Sequence, residues 1–298
     1  MKHKKQHYIP SSYLKAWCDP ETPKGQTPYI WRFSKDGTEK SKKAPKKIFY
    51  EKDLYTVPGN DGERDLQLEH NLSRVEHEFY QLRKNKLSKQ KPLTSKDFLL
   101  LCMFTAAMFG RTKQYKENWS SQWQQVLDFG ERIESEYKEA SPENRKRIAS
   151  ALNSNHFDEE ESLSLDDVRE LVKNPITSTL SSIVTGIAPI LFEMPSIILC
   201  IDNKERFITS DSPCVWFDPA SFQAPTPRGA GGLISPTNEI TLPLSPNQMI
   251  VFGKKLLPLT SYVAMHDVSM IDNLNKRTRL FSHEYFISNE NKIKPTWF

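Results

Sequence analysis

The chain has 298 residues, of which 37% are hydrophobic and 11% are aromatic. This composition supports a folded core and excludes a chain that is disordered throughout. The net charge is +4, but the first 50 residues carry twelve Lys or Arg against four Asp or Glu, so the basic charge is concentrated there. A basic surface attracts phosphate backbones or acidic partners, and an ordinary solvated lysine surface is the alternative interpretation.

The sequence shows no segment typical of an exported or membrane protein. No apolar run follows the first lysines, so we expect no signal peptide. The uncharged stretch 174–192 contains Pro175 and Pro189, which favours a buried helix over a membrane span. We expect a cytoplasmic protein without membrane association. Its four widely separated cysteines are then buried reduced thiols: Cys18, Cys102, Cys200 and Cys214.

The sequence contains no P-loop and no G-x-G-x-x-G, G-x-S-x-G or H-E-x-x-H motif. These motifs hold phosphates, form the nucleophile elbow of α/β-hydrolases, or bind catalytic zinc. We therefore do not expect nucleotide-driven or α/β-hydrolase chemistry.

Residues 1–64 are predicted to form short strands and loops. The opening, from His7-Tyr8-Ile9-Pro10 to Trp17, is rich in aromatic and apolar side chains, although a chain end is normally polar and frayed. We expect it to be tied into the core. A hairpin is predicted around Asp36-Gly37, with a return strand at 38–43. A further extended piece is expected at 54–57.

Residues 65–194 are predicted to be helical. Apolar residues recur every three or four positions over 68–82 and again over 176–191, which is typical of helices with one apolar face. Thr94 is a helix cap, and the run that follows it to Gly110 is apolar nearly all round, so this helix is expected to be central and buried. Two further helices are expected, over 119–133 and from Pro142 onward.

Residues 195–298 return to strands, with a Pro- and Gly-rich loop at 218–237 and a helix over 267–279. Strands at both ends of a helical middle predict an α+β fold. In this fold a small mixed or antiparallel sheet is built from the N- and C-terminal regions, with a central helical layer. The strands of the last region are predicted at 196–201, 206–209, 214–217, 239–244, 249–252 and 284–288.

Asp211 is the first candidate site residue. It follows a short apolar strand within the segment Phe207-Ile208-Thr209-Ser210-Asp211-Ser212-Pro213. A carboxylate at a strand end, flanked by hydroxyl groups, is well placed to act as a general base, to bind a metal or to position a ligand. The alternative is an Asx-turn, in which the carboxylate accepts backbone N–H groups.

His7 and Arg111 are two further candidates. A histidine on a tethered segment can act as a general acid or base or as a ligand, and the alternative is a buried imidazole bonded to the backbone. Arg111 follows the buried helix and requires an anionic partner. That partner is either a carboxylate of the protein or a phosphate or carboxylate of a ligand.

Glu69 and Glu76 lie seven residues apart on one flank of the first long helix, about 10 Å from each other. They are too far apart to work on one bond as a pair, but each can bind a different group or pair with an arginine. His70 and His77 repeat this spacing, which is not the i, i+3 or i, i+4 spacing of helical zinc ligands. A solvated helix face is the alternative.

These segments together resemble an uncharacterised, mostly microbial family, domain of unknown function 4238. Ser212 stands where that family often has Asn, and His70 and His77 have no counterpart. The match covers nearly the whole chain and implies a single composite domain, 1–298, with a β-rich region 1–64, a helical region 65–194 and a β-rich region 195–298. The similar elements are His7-Tyr8-Ile9-Pro10, Tyr13-Leu14, Leu68-Glu69, Val75-Glu76, Arg111-Thr112, the segment 207–213, the segment 242–246, Asn273 and Asn275.

The resemblance implies no established activity, but it groups several polar residues in one pattern. We expect them to converge on one cleft that has apolar helices as its floor and the basic region as a rim. The grouped residues are His7, Glu69, Glu76, Arg111, Asp211 and Asn275.

The first functional hypothesis is a hydrolase acting on a phosphate-containing or nucleic-acid substrate, such as a nuclease-like effector of a defence or toxin system. Asp211 with a glutamate, Glu69 or Glu76, would activate water or hold a divalent cation, for which Asp211 and Glu76 are the candidate ligands. His7 would be the general acid or base. Arg111, with Ser210 and Asn275, would bind the anionic substrate.

The second hypothesis is a non-catalytic sensor module that binds a ligand or a partner protein. It predicts that the polar residues form hydrogen-bonded structural networks instead of an open cluster. The third is a purely structural role, in which His7, Glu76, Arg111 and Asp211 form buried pairs that close the N-terminal segment onto the fold.

Overall fold

The structure is a computed structural model that describes residues 5–58, 64–154, 163–219, 235–254, 256 and 260–298. It is 51% helical and 18% strand, which confirms the predicted α+β class. Most of the predicted loop 218–237, namely residues 220–234, lies outside the described residues.

Eight α-helices occur in the described part of the chain. They are α1 (Ser11–Leu14), α2 (Gln67–Asn85), α3 (Ser95–Gly110), α4 (Lys113–Glu139), α5 (Pro142–Ser154), α6 (Leu165–Lys173), α7 (Pro175–Glu193) and α8 (Val268–Leu280). Thr94 caps α3 in a reciprocal capping box with Asp97, and Pro142 is the first residue of α5, as the sequence predicts.

The strands form two principal sheets and two short ribbons. They are β1 (Lys5–His7), β2 (Ile30–Ser34), β3 (Lys40–Lys43), β4 (Tyr50–Lys52), β5 (Val57–Pro58), β6 (Arg64–Asp65), β7 (Ser196–Cys200), β8 (Thr209–Ser210), β9 (Val215–Phe217), β10 (Glu239–Ser245), β11 (Gln248–Gly253), β12 (Ser261–Ala264) and β13 (Tyr285–Ser288). The ribbons pair β1 with β4 and β5 with β6, and both are antiparallel.

The larger sheet has five strands in the order β12-β7-β11-β10-β9. Only the β12–β7 pair is parallel, so the sheet is mixed. The smaller sheet is antiparallel in the order β3-β2-β13-β8, and it joins an N-terminal hairpin to two C-terminal strands. The expected sheet built from both ends of the chain is therefore present, and most C-terminal strands form a second sheet beside it.

The core draws on all three regions of the chain. One cluster of buried side chains includes Tyr13 and Trp17 near the start, Phe79 and Phe104 of the helices, and Leu242 of β10. The rings of Phe79 and Phe104 stack with their centroids 3.7 Å apart, which joins α2 to α3. Helix α3 is buried on most of its surface, as predicted.

Helix α7 packs closely on the end of α3. A Cβ atom at Gly110 would lie only 3.0 Å from side-chain atoms of Leu180 and Ile183, so the glycine permits the close approach of the two helices. By length and composition α7 is the one described helix that could cross a membrane. It packs against α3 through one face, which includes Ile176 and Leu180, and only about a third of the helix is buried, so the expectation of a buried helix holds for that face alone.

Two predicted strands have the wrong bounds, since β8 begins only at Thr209 and β5 only at Val57. Residues 206–208 do not pair in a sheet, because the Phe207 N–H donates to the Pro246 carbonyl and the Ile208 N–H donates to the Asn275 side chain. The extended piece predicted at 54–57 is largely a turn, since the Thr56 N–H donates to the Asp53 carbonyl.

All four cysteines are free thiols. Cys102, Cys200 and Cys214 are buried, whereas Cys18 is half-buried. Burial raises the pKa of the Cys102 and Cys214 thiols to about 12, so both are protonated and unreactive at neutral pH.

Candidate functional site

Arg111 is the centre of a buried polar network. It lies directly after α3, its side chain is almost inaccessible, and its guanidinium contacts three groups. Nη1 lies 2.8 Å from Glu76 Oε1 on α2, and Nε donates to the Tyr55 hydroxyl at 3.0 Å. Nη2 donates to the His7 carbonyl at 2.6 Å. The anionic partner of Arg111 is therefore a carboxylate of the protein. Through Arg111, strand β1 is linked to α2 and to the end of α3.

Glu69 joins this network through Gln6, a residue that sequence reasoning missed. Gln6 is buried; its amide donates to Glu69 Oε2 at 2.9 Å, and its carbonyl accepts the Tyr55 N–H at 2.6 Å. The Tyr55 hydroxyl also donates to the His7 carbonyl at 3.1 Å. We call His7, Tyr55, Glu76 and Arg111 with Gln6 and Glu69 the buried network. Alternate side chains of a strand face opposite sides, so an apolar–polar alternation can reveal which side is buried. Strand β1 has only three residues and all are polar, so its sequence does not show that Gln6 is buried.

The His7 imidazole faces the other side of the β1–β4 ribbon. Its ring meets Tyr50 edge-on at 5.6 Å, and it bonds to the Lys46 backbone. The Nε2 atom is buried and has no hydrogen-bond partner. The N–H that bonds to the Lys46 carbonyl is therefore assigned to Nδ1, which leaves Nε2 as an unprotonated acceptor. Burial lowers the pKa of His7, and the charges of Arg111 and Lys5 act in the same direction.

The lowered pKa of His7 predicts a pH effect on stability. The unfolded chain takes up the proton first as the pH falls below the ordinary value of 6.5, so wild-type protein loses stability in that direction. We expect the His7→Gln variant to lose less stability than wild type between about pH 7.5 and pH 5. Thermal melts of both proteins at the two pH values check this. Parallel losses would show that the imidazole titrates alike in the folded and unfolded chains.

Asp211 lies in a turn after β8 and is 2% exposed. Its Oδ1 accepts the His283 N–H at 2.8 Å, and its Oδ2 accepts the N–H groups of Glu284 and Tyr285 at 2.8 and 2.9 Å. Burial raises the pKa of this carboxyl, although the three donors act in the opposite direction. As in the Asx-turn alternative, the carboxylate accepts backbone N–H groups, but these belong to residues 283–285, more than 70 residues further along the chain. Asp211 thus fixes the start of β13.

Ser210 and Asn275 also bond to the backbone. The Ser210 hydroxyl accepts the Ser212 N–H at 3.1 Å. The Asn275 carbonyl accepts the Ile208 N–H at 3.0 Å, and its amide donates to the Arg206 carbonyl at 2.8 Å. Asn275 therefore attaches α8 to the segment before β8.

The structure divides the predicted site residues into two groups. His7, Glu69, Glu76 and Arg111 belong to the buried network. No hydrogen bond or ion pair among the described residues links it to the second group, which comprises Asp211, Ser210 and Asn275. The other side chains of both groups are engaged with the protein itself, whereas His7 joins the buried network through its carbonyl and its Nε2 has no hydrogen-bond partner. They do not present a shared set of free polar atoms.

The described residues contain no cluster of three or more His, Cys, Asp or Glu side chains that could hold a metal ion. Asp211 uses both oxygens for three backbone N–H groups, and Glu76 uses Oε1 for Arg111. A divalent cation at Asp211 would have to displace its partners. Glu76 and Asp211, which belong to separate groups, therefore do not fit the predicted cation as a pair of ligands.

Three sequence segments from the resemblance meet at Tyr13. Its hydroxyl donates to the Pro243 carbonyl at 2.7 Å and accepts the Thr209 hydroxyl proton at 2.7 Å. Trp17 Nε1 donates to the Phe207 carbonyl at 3.0 Å. The opening segment, the segment 207–213 and the segment 242–246 are thus bonded to one another.

Arg83 is a second buried arginine that sequence reasoning missed. It is 8% exposed and donates to the carbonyls of Ser12 and Tyr13 at 2.7 and 3.0 Å, which ties α1 to α2. Burial lowers the pKa of Arg83 to about 10. Arg83 lies one turn after Phe79 on the apolar face of α2, so helix periodicity carries a signal for its burial that its charge concealed.

A family model for proteins of unknown function, DUF4238, matches residues 5–292. The chain belongs to this family. The match runs from β1 to the segment after β13, so the matched range contains the buried network as well as Asp211. No curated protein and no solved structure matches the chain.

Six exposed lysines form what we call the lysine surface. It lies on the β1–β4 ribbon, on β3 and on the turn between β3 and β4. None of them has an ion-pair partner in the part of the chain that the structure describes. The six residues are Lys5, Lys40, Lys42, Lys46, Lys47 and Lys52.

Aromatic rings lie under two of these lysines. Lys5 Nζ is 4.5 Å from the centroid of Tyr50, and Lys42 Nζ is 4.5 Å from Tyr29 and 4.9 Å from Trp31. In the sequence, lysines and aromatics are not interleaved in this region, but strand pairing places Trp31 opposite Lys42. Such cation–π contacts orient the ammonium groups at the surface.

Proposed function

We propose that the protein is a non-catalytic binding module whose lysine surface contacts a phosphate-bearing polyanion, namely nucleic acid. The observation that supports this most is a contrast between two sets of side chains. The predicted catalytic carboxylates and Arg111 contact other protein groups, whereas the six exposed lysines have no ion-pair partner among the described residues.

The contacts of the predicted catalytic residues argue against an acid–base or metal mechanism. A carboxylate that activates water needs a free oxygen, but Asp211 already accepts three N–H groups. Arg111 has three of its five N–H donors engaged by Glu76, Tyr55 and the His7 carbonyl. Arg111 is also only 1% exposed, so a substrate phosphate would reach its two remaining donors only if this packing opened.

The chemistry of the lysine surface favours a polyanion bound without sequence preference. Lysine ammonium groups neutralise backbone phosphates and release condensed counterions, which makes binding strongly dependent on salt. Reading base edges relies mainly on the planar fork of arginine or on amide side chains, and the lysine surface has neither. We therefore expect affinity for nucleic acid in general.

The test is fluorescence anisotropy of a dye-labelled DNA or RNA titrated with the full chain. We expect the logarithm of the affinity to fall linearly with the logarithm of salt between about 50 and 200 mM. The triple variant Lys46→Gln/Lys47→Gln/Lys52→Gln should reduce the magnitude of this slope by about 2 to 3, roughly 1 for each phosphate that the variant no longer neutralises.

The matched control is Lys84→Gln/Lys89→Gln/Lys91→Gln, which removes the same charge from exposed positions around the end of α2. It should leave the salt slope unchanged if binding is local to the lysine surface. Equal losses in the two triple variants would mean that only net charge matters. Absence of binding at low salt would refute the proposal.

Hydrolysis of the bound nucleic acid is the second candidate function. One observation favours it: His7 Nε2 has no hydrogen-bond partner, and its lowered pKa keeps it unprotonated at neutral pH. It could therefore accept a proton. The same labelled strands, run on a denaturing gel after the titration, distinguish the two functions. Cleavage that is lost in His7→Gln would support the hydrolase, and intact strands support the binding module.

A further inference from the structure

A wide groove outside the buried network lies between α2 and α3. It has a volume of about 620 Å³ and contacts neither Arg111 nor Asp211. Its floor is apolar and is formed by Val75 and Leu82 of α2 together with Leu99, Leu100 and Met103 of α3. A volume between about 300 and 1,000 Å³ and a mostly apolar lining are typical of sites for small organic ligands.

The floor of the groove is open to solvent. Leu99 is 41% exposed although it stands in α3, most of whose surface is buried. Covering such a side chain stabilises a complex by about 25 cal/mol for each Å² of apolar area removed from water. The groove follows α2 from Arg74 to Asn85, which is about 16 Å along the helix axis. This length suits a short alkyl chain.

The rim of the groove carries charged groups on both helices. Lys86 and Asp97 pair with each other at 2.5 Å, and Asp97 also bonds to Thr94 in the capping box. Two other cations, Arg74 on α2 and Lys96 on α3, have no ion-pair partner among the described residues.

The ionisable lining also includes the imidazole of His77 and the carboxylate of Glu78. Glu78 likewise has no ion pair within the described ranges. Among the lining groups without an ion pair in the described ranges, there are therefore two cations, Arg74 and Lys96, and one carboxylate, Glu78. A ligand anion can approach either cation without displacing a protein partner.

We propose that this groove binds a small amphipathic anion, in which an alkyl chain covers the apolar floor and a terminal carboxylate pairs with Arg74 or Lys96. The proposal is independent of the lysine surface, because none of the six lysines lines the groove. The inner face of α2 packs in the core through Leu72 and Phe79. The proposal gives the outer face, which carries His77, a role in binding a ligand.

The test compares decanoate with decanol by isothermal titration of the full chain. We expect saturable binding of both, with decanoate bound about three to five times more tightly, since an exposed charge pair contributes up to about 1 kcal/mol. The double variant Arg74→Gln/Lys96→Gln should bring the decanoate affinity down to that of decanol. Both side chains are exposed, so the variant keeps the wild-type melting temperature.

Two controls make the outcome decisive. Lys84→Gln/Lys89→Gln removes the same charge near the groove without touching it and should preserve the preference for decanoate. Leu99→Gln should weaken decanoate and decanol alike, because the floor contacts the chain that both share. Absence of saturable binding, or an unchanged preference in the Arg74/Lys96 double variant, would overturn the proposal.

Discussion

Replacing Arg111 by Met is expected to lower the free energy of unfolding by about 2–4 kcal/mol. The substitution keeps the volume of the buried stem but removes the partner of Glu76, whose side chain is 22% exposed and so is only partly rehydrated. It also removes the donors to the Tyr55 hydroxyl and to the His7 carbonyl. Urea denaturation followed by tryptophan fluorescence measures the loss.

The control for this prediction is Lys113→Met. Lys113 pairs with Glu284 at 2.6 Å, but both side chains are more than one-third exposed, so the loss should stay below about 1 kcal/mol. In the double variant Arg111→Met/Glu76→Met the uncompensated carboxylate is gone, and the total loss should be smaller than the sum of the two single losses. Additive losses would mean that Arg111 and Glu76 act separately.

Replacing Asp211 by Asn is expected to lower the free energy of unfolding by about 2–3 kcal/mol. The carboxylate accepts three N–H groups through two oxygens. An amide has a single accepting oxygen, and its NH₂ group would face N–H donors in a site that water does not reach. Thermal and urea unfolding of the variant measure the effect, and nucleic-acid binding of the folded variant should be unchanged under the proposed function.

Asp267→Asn is the matched control. Asp267 also accepts backbone N–H groups, from Ser269 and Met270, but it does so at the exposed N-terminus of α8. Asn and Asp are similar helix caps, so this variant should lose only a few tenths of a kcal/mol. If the loss in Asp211→Asn is equally small, the Asp211 carboxylate is not what holds the start of β13.

Local patterns predicted the helices well. The apolar stripe over 68–82 and the cap at Thr94 correspond to α2 and α3, and Asp36-Gly37 turns between β2 and β3. These features depend on residues close in sequence. The division of the strands into two sheets depends on partners far apart, such as the pairing of Phe286 with Phe33 and Ser210, and no short pattern specifies that choice.

The candidate site was predicted as a set of residues but not as an arrangement. The sequence correctly indicated that Arg111 needs an anion, and it left open whether that anion is a protein carboxylate. Gln6 and Tyr55 were missed because a residue becomes part of a buried network only through tertiary contacts. The cation–π contacts of Lys42 were missed for the same reason, since they require strand pairing.

The bonds of Tyr13 also bear on how the chain folds. Its hydroxyl partners, Thr209 and Pro243, lie 196 and 230 residues further along the chain. Synthesis of the later segment follows that of Tyr13 by roughly 10–50 s at about 5–20 residues per second. During this interval the aromatic opening cannot reach its final partners. Contacts of such long sequence separation slow folding. The aromatic opening of the nascent chain therefore stays exposed during this interval, and we expect chaperones to bind it and so limit its aggregation.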